Sequence, residues 1–116
     1  MNMSPIDKPT AVERLGGDER LFLDFAESVL AEAPAMNEEI RSALSSHDFA
    51  KAHMAAHALK GMLATLEARP ATAAAGDVER LSNEGLHSEA SAAADRLCVE
   101  LDRLQSALRN EASTNS

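Results

Sequence analysis

Tryptophan and tyrosine are absent and phenylalanine occurs three times, so aromatic residues make up only 3% of the 116-residue chain. A core of this composition cannot be filled by large rings. Hydrophobic residues still reach 45%, and 23 of them are alanine. Alanine has the highest helix propensity and adds little volume between helix axes, so this mixture favours helices packed closely through small side chains. The β-branched residues that strands prefer are equally scarce, with four Val, two Ile and four Thr scattered singly along the sequence. The fold class is therefore read as all-α.

Other shortages exclude whole classes of function. A single cysteine, Cys98, can form neither an internal disulfide nor a metal knuckle, and is expected to be a small core residue. Positive charge is in short supply: 11 Lys and Arg stand against 19 Asp and Glu, for a net charge of −8, and the basic residues form no run. A phosphate backbone would be repelled, which argues against a nucleic-acid partner. No stretch approaches the roughly 20 apolar residues that span a bilayer, and Met1 to Thr10 lacks the apolar run of a signal peptide. The expectation is a soluble, cytoplasmic protein without a membrane partner. The length suits one domain.

Apolar residues recur at helical spacing in four or five blocks between an N-terminal arm (1–8) and a polar tail (111–116), both expected to be flexible. A short helix is predicted from Pro9 to Leu15, ending at Gly16-Gly17. Asp18 suits an N-cap for a second block with Leu21, Phe22, Phe25, Val29 and Leu30 on one stripe. The pattern resumes after Pro34 through Met36, Ile40, Ala43 and Leu44, giving one bent helix or two consecutive ones. Ser45 to Asp48 reads as a polar joint, followed by a third block from Phe49 to Leu66. Pro70 suits the first turn of a fourth helix that stops near Gly85. In the last block Ala90, Ala94, Leu97, Leu101, Leu104 and Leu108 form a narrow seam. Residues 9–110 are thus predicted to form an up-down-up-down four-helix bundle with a short extra N-terminal helix.

The third block holds the residues with chemical potential. Counting about 100° per residue from Leu59 at the centre of the buried stripe places His57 nearly opposite the core, facing solvent. Its neighbours on that face are Ala50, His53, Lys60, Gly61 and Ala64, with Met54 near the edge. Small residues where long charged ones are usual leave room for an approaching body. Gly61 is the sharpest anomaly, because a mid-helix glycine costs about 1 kcal/mol relative to alanine. A residue without Cβ one turn after His57 clears space for another protein's backbone, and Lys60 lies on the adjacent row. Neutral imidazole is nucleophilic near neutral pH and can accept a phosphoryl group, a transfer that depends mostly on alignment and charge neutralisation.

Asp48-Phe49 and the string Ala56-His57-Ala58-Leu59-Lys60-Gly61 resemble the pattern of histidine-containing phosphotransfer (HPt) domains, and Val78-Glu79 looks like the hydrophobic-Glu pair of the following helix. The resemblance extends from about Asp18 to Leu108. It departs from the pattern at Ala58, where a hydroxyl is frequent, at Met62, where a smaller residue is usual, and at Glu67, where a second glycine is expected. The resemblance implies a phosphorelay carrier phosphorylated on His57 at Nε2, with Lys60 contacting the phosphoryl oxygens and Gly61 admitting a receiver domain. Ala50, His53, Met54 and Ala64 would line the docking surface. The chain shows no carboxylate cluster for Mg²⁺ and no nucleotide loop, so the metal and the aspartate are expected from a partner, and no cofactor is assigned to this chain. The partners implied are response-regulator receiver domains or a hybrid histidine kinase. A monomer is expected, and the starting Met and polar tail lean towards a free-standing protein.

Four other readings compete. His57 could be an inconsequential surface histidine and Lys60 an ordinary solvated lysine. His53 and His57, four apart, could bind a metal, but that face offers no carboxylate to complete a set, so no metal site is assigned. A helical docking or adaptor module that binds receivers or kinases without being phosphorylated is the alternative function. An independent enzyme is disfavoured because no base, nucleophile and orienting group are visible together.

Overall fold

The computed structural model describes residues 4–114 of the chain, as five helices: α1 (Lys8–Arg14), α2 (Glu19–Ser45), α3 (Phe49–Thr65), α4 (Arg69–Asn83) and α5 (His87–Thr114). The protein is all-α. Helices α2 to α5 form an up-down-up-down bundle in which each packs on its neighbours in sequence and α5 closes against α2, while the short α1 lies against α2. No helix among the described residues is long and apolar enough to cross a membrane.

The sequence encodes the turns with one repeated device. Each of the three loops between bundle helices is three residues long, which forces successive helices to run antiparallel. In each, the middle residue is left-handed and the next N–H reaches back five residues to a carbonyl inside the helix just ended: Asp48 to Ala43 at 2.8 Å, Ala68 to Leu63 at 3.1 Å, Leu86 to Leu81 at 3.0 Å. Only the last loop uses glycine, at Gly85; the other two place His47 (φ 58°) and Glu67 (φ 56°) in that conformation. Such residues cost about 1–2 kcal/mol. At Glu67 the position keeps a glycine-like backbone without the glycine. Its carbonyl accepts from Asp7 N–H at 3.0 Å, and its buried carboxylate pairs with Arg14 at 2.8 Å and Arg69 at 3.3 Å. Those contacts offset the strain and tie α1 to the α3–α4 corner.

Asp18 and Asp48 cap α2 and α3 by accepting from Leu21 and Lys51 N–H, at 3.0 and 3.1 Å. The core is built as the periodicity requires, from Phe22, Val29, Ile40 and Leu44 of α2, Leu59 and Leu63 of α3, Val78 of α4 and Leu97 and Leu104 of α5. Alanines fill the spaces between them, among them Ala52 and Ala56 of α3 and Ala71, Ala74 and Ala75 of α4.

Several expectations need correction. Of the two arrangements expected around Pro34, α2 takes the single helix, with Pro34 on an exposed face. Leu21 is 47% exposed, one position off the seam that Phe22, Ala26, Val29 and Ala33 form instead. Cys98 is exposed, because it follows Leu97 and turns away from the core by one helical step. The arm expected over 1–8 is anchored from Ile6, which is buried, and residues 1–3 lie outside the described region. Helix α5 continues beyond residue 110 to Thr114. His87 opens α5 and stacks on His47 with ring centroids 4.4 Å apart.

Removing the cap of the central helix tests this account of its start. Asp48→Ala should lower the unfolding free energy by about 1 kcal/mol in urea titration, with helix content in the native state unchanged.

Candidate functional site

The site forms where α3 and α4 run side by side, and a single α4 residue organises it. The carboxylate of Glu79 spans two residues of α3: Oε2 lies 2.6 Å from His57 Nδ1 and Oε1 lies 2.5 Å from Lys60 Nζ. The backbone carbonyl of the same residue accepts from His53 Nδ1 at 3.1 Å. His53, His57 and Lys60 are separated by four and three residues, so they fall on one strip of α3 facing the edge of α4. An ideal Cβ built on Gly76 would stand 3.5 Å from Lys60 Cδ, so the lysine stem lies along α4 between Gly76 and Glu79.

Electrostatics fix the charge of the carboxylate. The Lys60 hydrogen bond is the main influence holding the Glu79 pKa below its ordinary value; partial burial opposes it and the His57 hydrogen bond adds to it. Glu79 is therefore ionised at neutral pH and can only accept hydrogen bonds. A neutral His57 facing it must carry its proton on Nδ1, an assignment that follows from this bond. The other ring nitrogen, Nε2, is left with its lone pair on a side chain that is 68% exposed. The arrangement thus presents a ring nitrogen competent for nucleophilic attack, with an ammonium held nearby by the carboxylate that orients the ring.

The surface around the ring is bare. Ala50, Ala58, Gly61 and Ala64 are exposed, as is Met54 at 70%, whereas His53 is half-buried because it turns towards α4. A Cβ at Gly61 would meet nothing within 4 Å, so no packing inside the chain requires this glycine. The structure brings His53, His57 and Lys60 together and leaves Ala50, Met54, Gly61 and Ala64 as the surrounding open surface. It adds Glu79, which the sequence offered only as half of the Val78-Glu79 pair. Among the described residues no group of three or more His, Cys, Asp or Glu side chains is arranged to hold a metal ion.

A closed four-helix bundle with a solvent-facing histidine held by a carboxylate that also binds a lysine defines the class of protein. The comparison with protein families agrees: residues 24–110 match the family model of the Hpt domain, and the chain belongs to that family. The match covers most of α2 and the described bundle up to Asn110, leaving α1 outside it. Its role is accordingly related to phosphotransfer in two-component signalling, where Hpt domains interact with receiver domains and kinases. Neither the curated proteins nor the solved structures gave a match.

Two measurements test the site as described. Gly61→Ala should stabilise the fold by about 0.5–1 kcal/mol in urea titration, since a helical alanine replaces glycine against empty space. Glu79, whose pKa is depressed in the folded state, contributes stability that is present above its unfolded value and lost as pH falls through the folded one. Wild type should therefore exceed Glu79→Gln in stability at neutral pH, and the gap should narrow as the solution is taken into the acid range where the carboxylate protonates.

Proposed function

We propose that the chain is a phosphoryl carrier of a two-component phosphorelay, which accepts a phosphoryl group on His57 from a receiver-domain aspartate or a kinase and passes it to another receiver. The observation that carries this reading is the 2.6 Å bond from His57 Nδ1 to the ionised Glu79, made by a ring that remains open to solvent.

In the accepting direction the Nε2 lone pair attacks the phosphorus of an aspartyl phosphate. The phosphorus–oxygen bond to the aspartyl group breaks, and the carboxylate leaves with the electron pair. The product is an imidazole phosphorylated on Nε2 and still protonated on Nδ1, with its positive charge facing Glu79. In the donating direction the phosphorus–nitrogen pair returns to Nε2. Because Nδ1 keeps its proton, the leaving group is neutral imidazole and not the far more basic imidazolate. One hydrogen bond therefore serves both directions, as a reversible carrier needs.

Lys60 completes the charge balance. Its ammonium is shared with Glu79 in the unphosphorylated chain and has a second anion to engage once the phosphoryl group arrives. Gly61, with Ala58 and Ala64, leaves space for the receiver, whose own aspartate and Mg²⁺ supply the remainder of the site. In this reading the carrier works in the cytoplasm as a monomer, since α2 to α5 close their own core.

Incubation with a phosphorylated receiver domain should transfer label that is acid-labile and base-stable, and His57→Gln should abolish it. Label persisting in that variant would move the acceptor elsewhere, and receiver binding without any label on wild type would favour a docking module that is not phosphorylated.

A further inference from the structure

Beside His57 the docking face is not uniform. Towards the C-terminal end of α3 it is made by small residues, Ala58, Gly61 and Ala64, all exposed. Towards the N-terminal end it opens into a cavity of about 320 Å³ between α3 and α4, lined by Phe49, Ala50, His53, Met54, Ser82 and Asn83. Ala50 precedes His57 by seven residues, which places the cavity within about 10 Å of the ring along the helix. A partner covering about 800 Å² of this surface, and centred on Nε2, must cover the cavity as well.

We propose that this cavity is the element by which the protein selects among receiver domains, and that it takes one receiver side chain with an apolar body ending in an N–H or O–H donor. The inference rests on the reading of His57 as the phosphoryl acceptor. Three observations define the occupant. Phe49, Ala50 and the exposed Met54 give the cavity apolar walls, and methionine adapts its shape to an entering group. His53 gives its Nδ1 proton to the Glu79 carbonyl, so its Nε2 in the neutral ring is an acceptor, which favours donor tips and disfavours acceptor tips. Ser82, in the same lining, has a buried hydroxyl oxygen with no hydrogen-bond partner in the chain, so the wall retains an unspent polar group. The side made of small residues has no long side chain to contact a partner and so discriminates little. A recess with a fixed acceptor rejects receivers whose matching side chain is charged negative, too short or without a donor.

The test separates docking from chemistry. Phosphoramidate, a small phosphoryl donor, reaches Nε2 without a protein interface, whereas a receiver domain must dock. Wild type, Ala50→Leu, which places a branched side chain in the recess, and Ala50→Ser, which leaves it open, are labelled by phosphoramidate and by a panel of phosphorylated receiver domains. All three should take label from phosphoramidate at the same rate and unfold at the same temperature. With the receiver that serves wild type best, Ala50→Leu should lose at least about tenfold in kcat/KM through KM, and Ala50→Ser should not. His53→Leu, which keeps the wall apolar but removes the acceptor, should cost that receiver about fivefold, the worth of one hydrogen bond. Unchanged transfer to Ala50→Leu would overturn the pocket while leaving His57 as the acceptor, and so would label from phosphoramidate with none from any receiver. No label on wild-type His57 from either donor would overturn the carrier reading and the pocket with it.

Discussion

The site depends on one carboxylate lying in the seam between two helices. Glu79 reaches from α4 to both His57 and Lys60 of α3 while its own backbone holds His53. That reach requires the two helix axes to approach closely, and the composition provides for it: α3 and α4 pack on each other, and α3 buries Ala52 and Ala56 while α4 buries Ala71, Ala74 and Ala75. The abundance of alanine is thus a condition of the chemistry as well as of the fold. Larger residues on these faces would move the helices apart, and a carboxylate that now bonds at 2.6 Å would lose its imidazole.

The strip of α3 around His57 follows a different rule. Elsewhere the outer faces carry ion pairs such as Arg41–Asp95 and Arg103–Glu100. Around the histidine the charges turn inward to Glu79, and what remains outward is alanine, glycine and methionine. A helix face built this way gives up local stability, at Gly61 most plainly, in return for accessibility to a second protein. The backbone tolerates strain in a similar manner at His47 and Glu67, where short left-handed turns keep the helices in register without glycine.

Much of this was legible in the sequence because it depends on local rules. The cap Asp18, the polar joint ending at Asp48, the seam of α5 and the outward angle of His57 follow from spacing and side-chain chemistry alone. The unforeseen features are those set by contacts between distant residues. Nothing in the periodicity of α4 says that Glu79 meets His57 rather than water, and that pairing decides the tautomer. The stacking of His87 on His47 joins two turns far apart in sequence but at one end of the bundle. Cys98 and Leu21 differ from expectation for a local reason: each lies one step, about 100°, from a core position, so residue type and a broad apolar stripe do not separate it from its buried neighbour. At Pro34 a continuous helix and a break differ only in whether the surrounding faces support the missing hydrogen bond.

The central claim is that Glu79 keeps the proton of the neutral His57 ring on Nδ1 and leaves Nε2 free. Nitrogen-15 NMR of the imidazole, recorded above its titration, reads this directly. The account predicts a protonated-type shift at Nδ1 and an unprotonated one at Nε2, with the preference lost in Glu79→Ala. A His57 whose proton resides on Nε2, or is shared evenly between the two nitrogens, would contradict it.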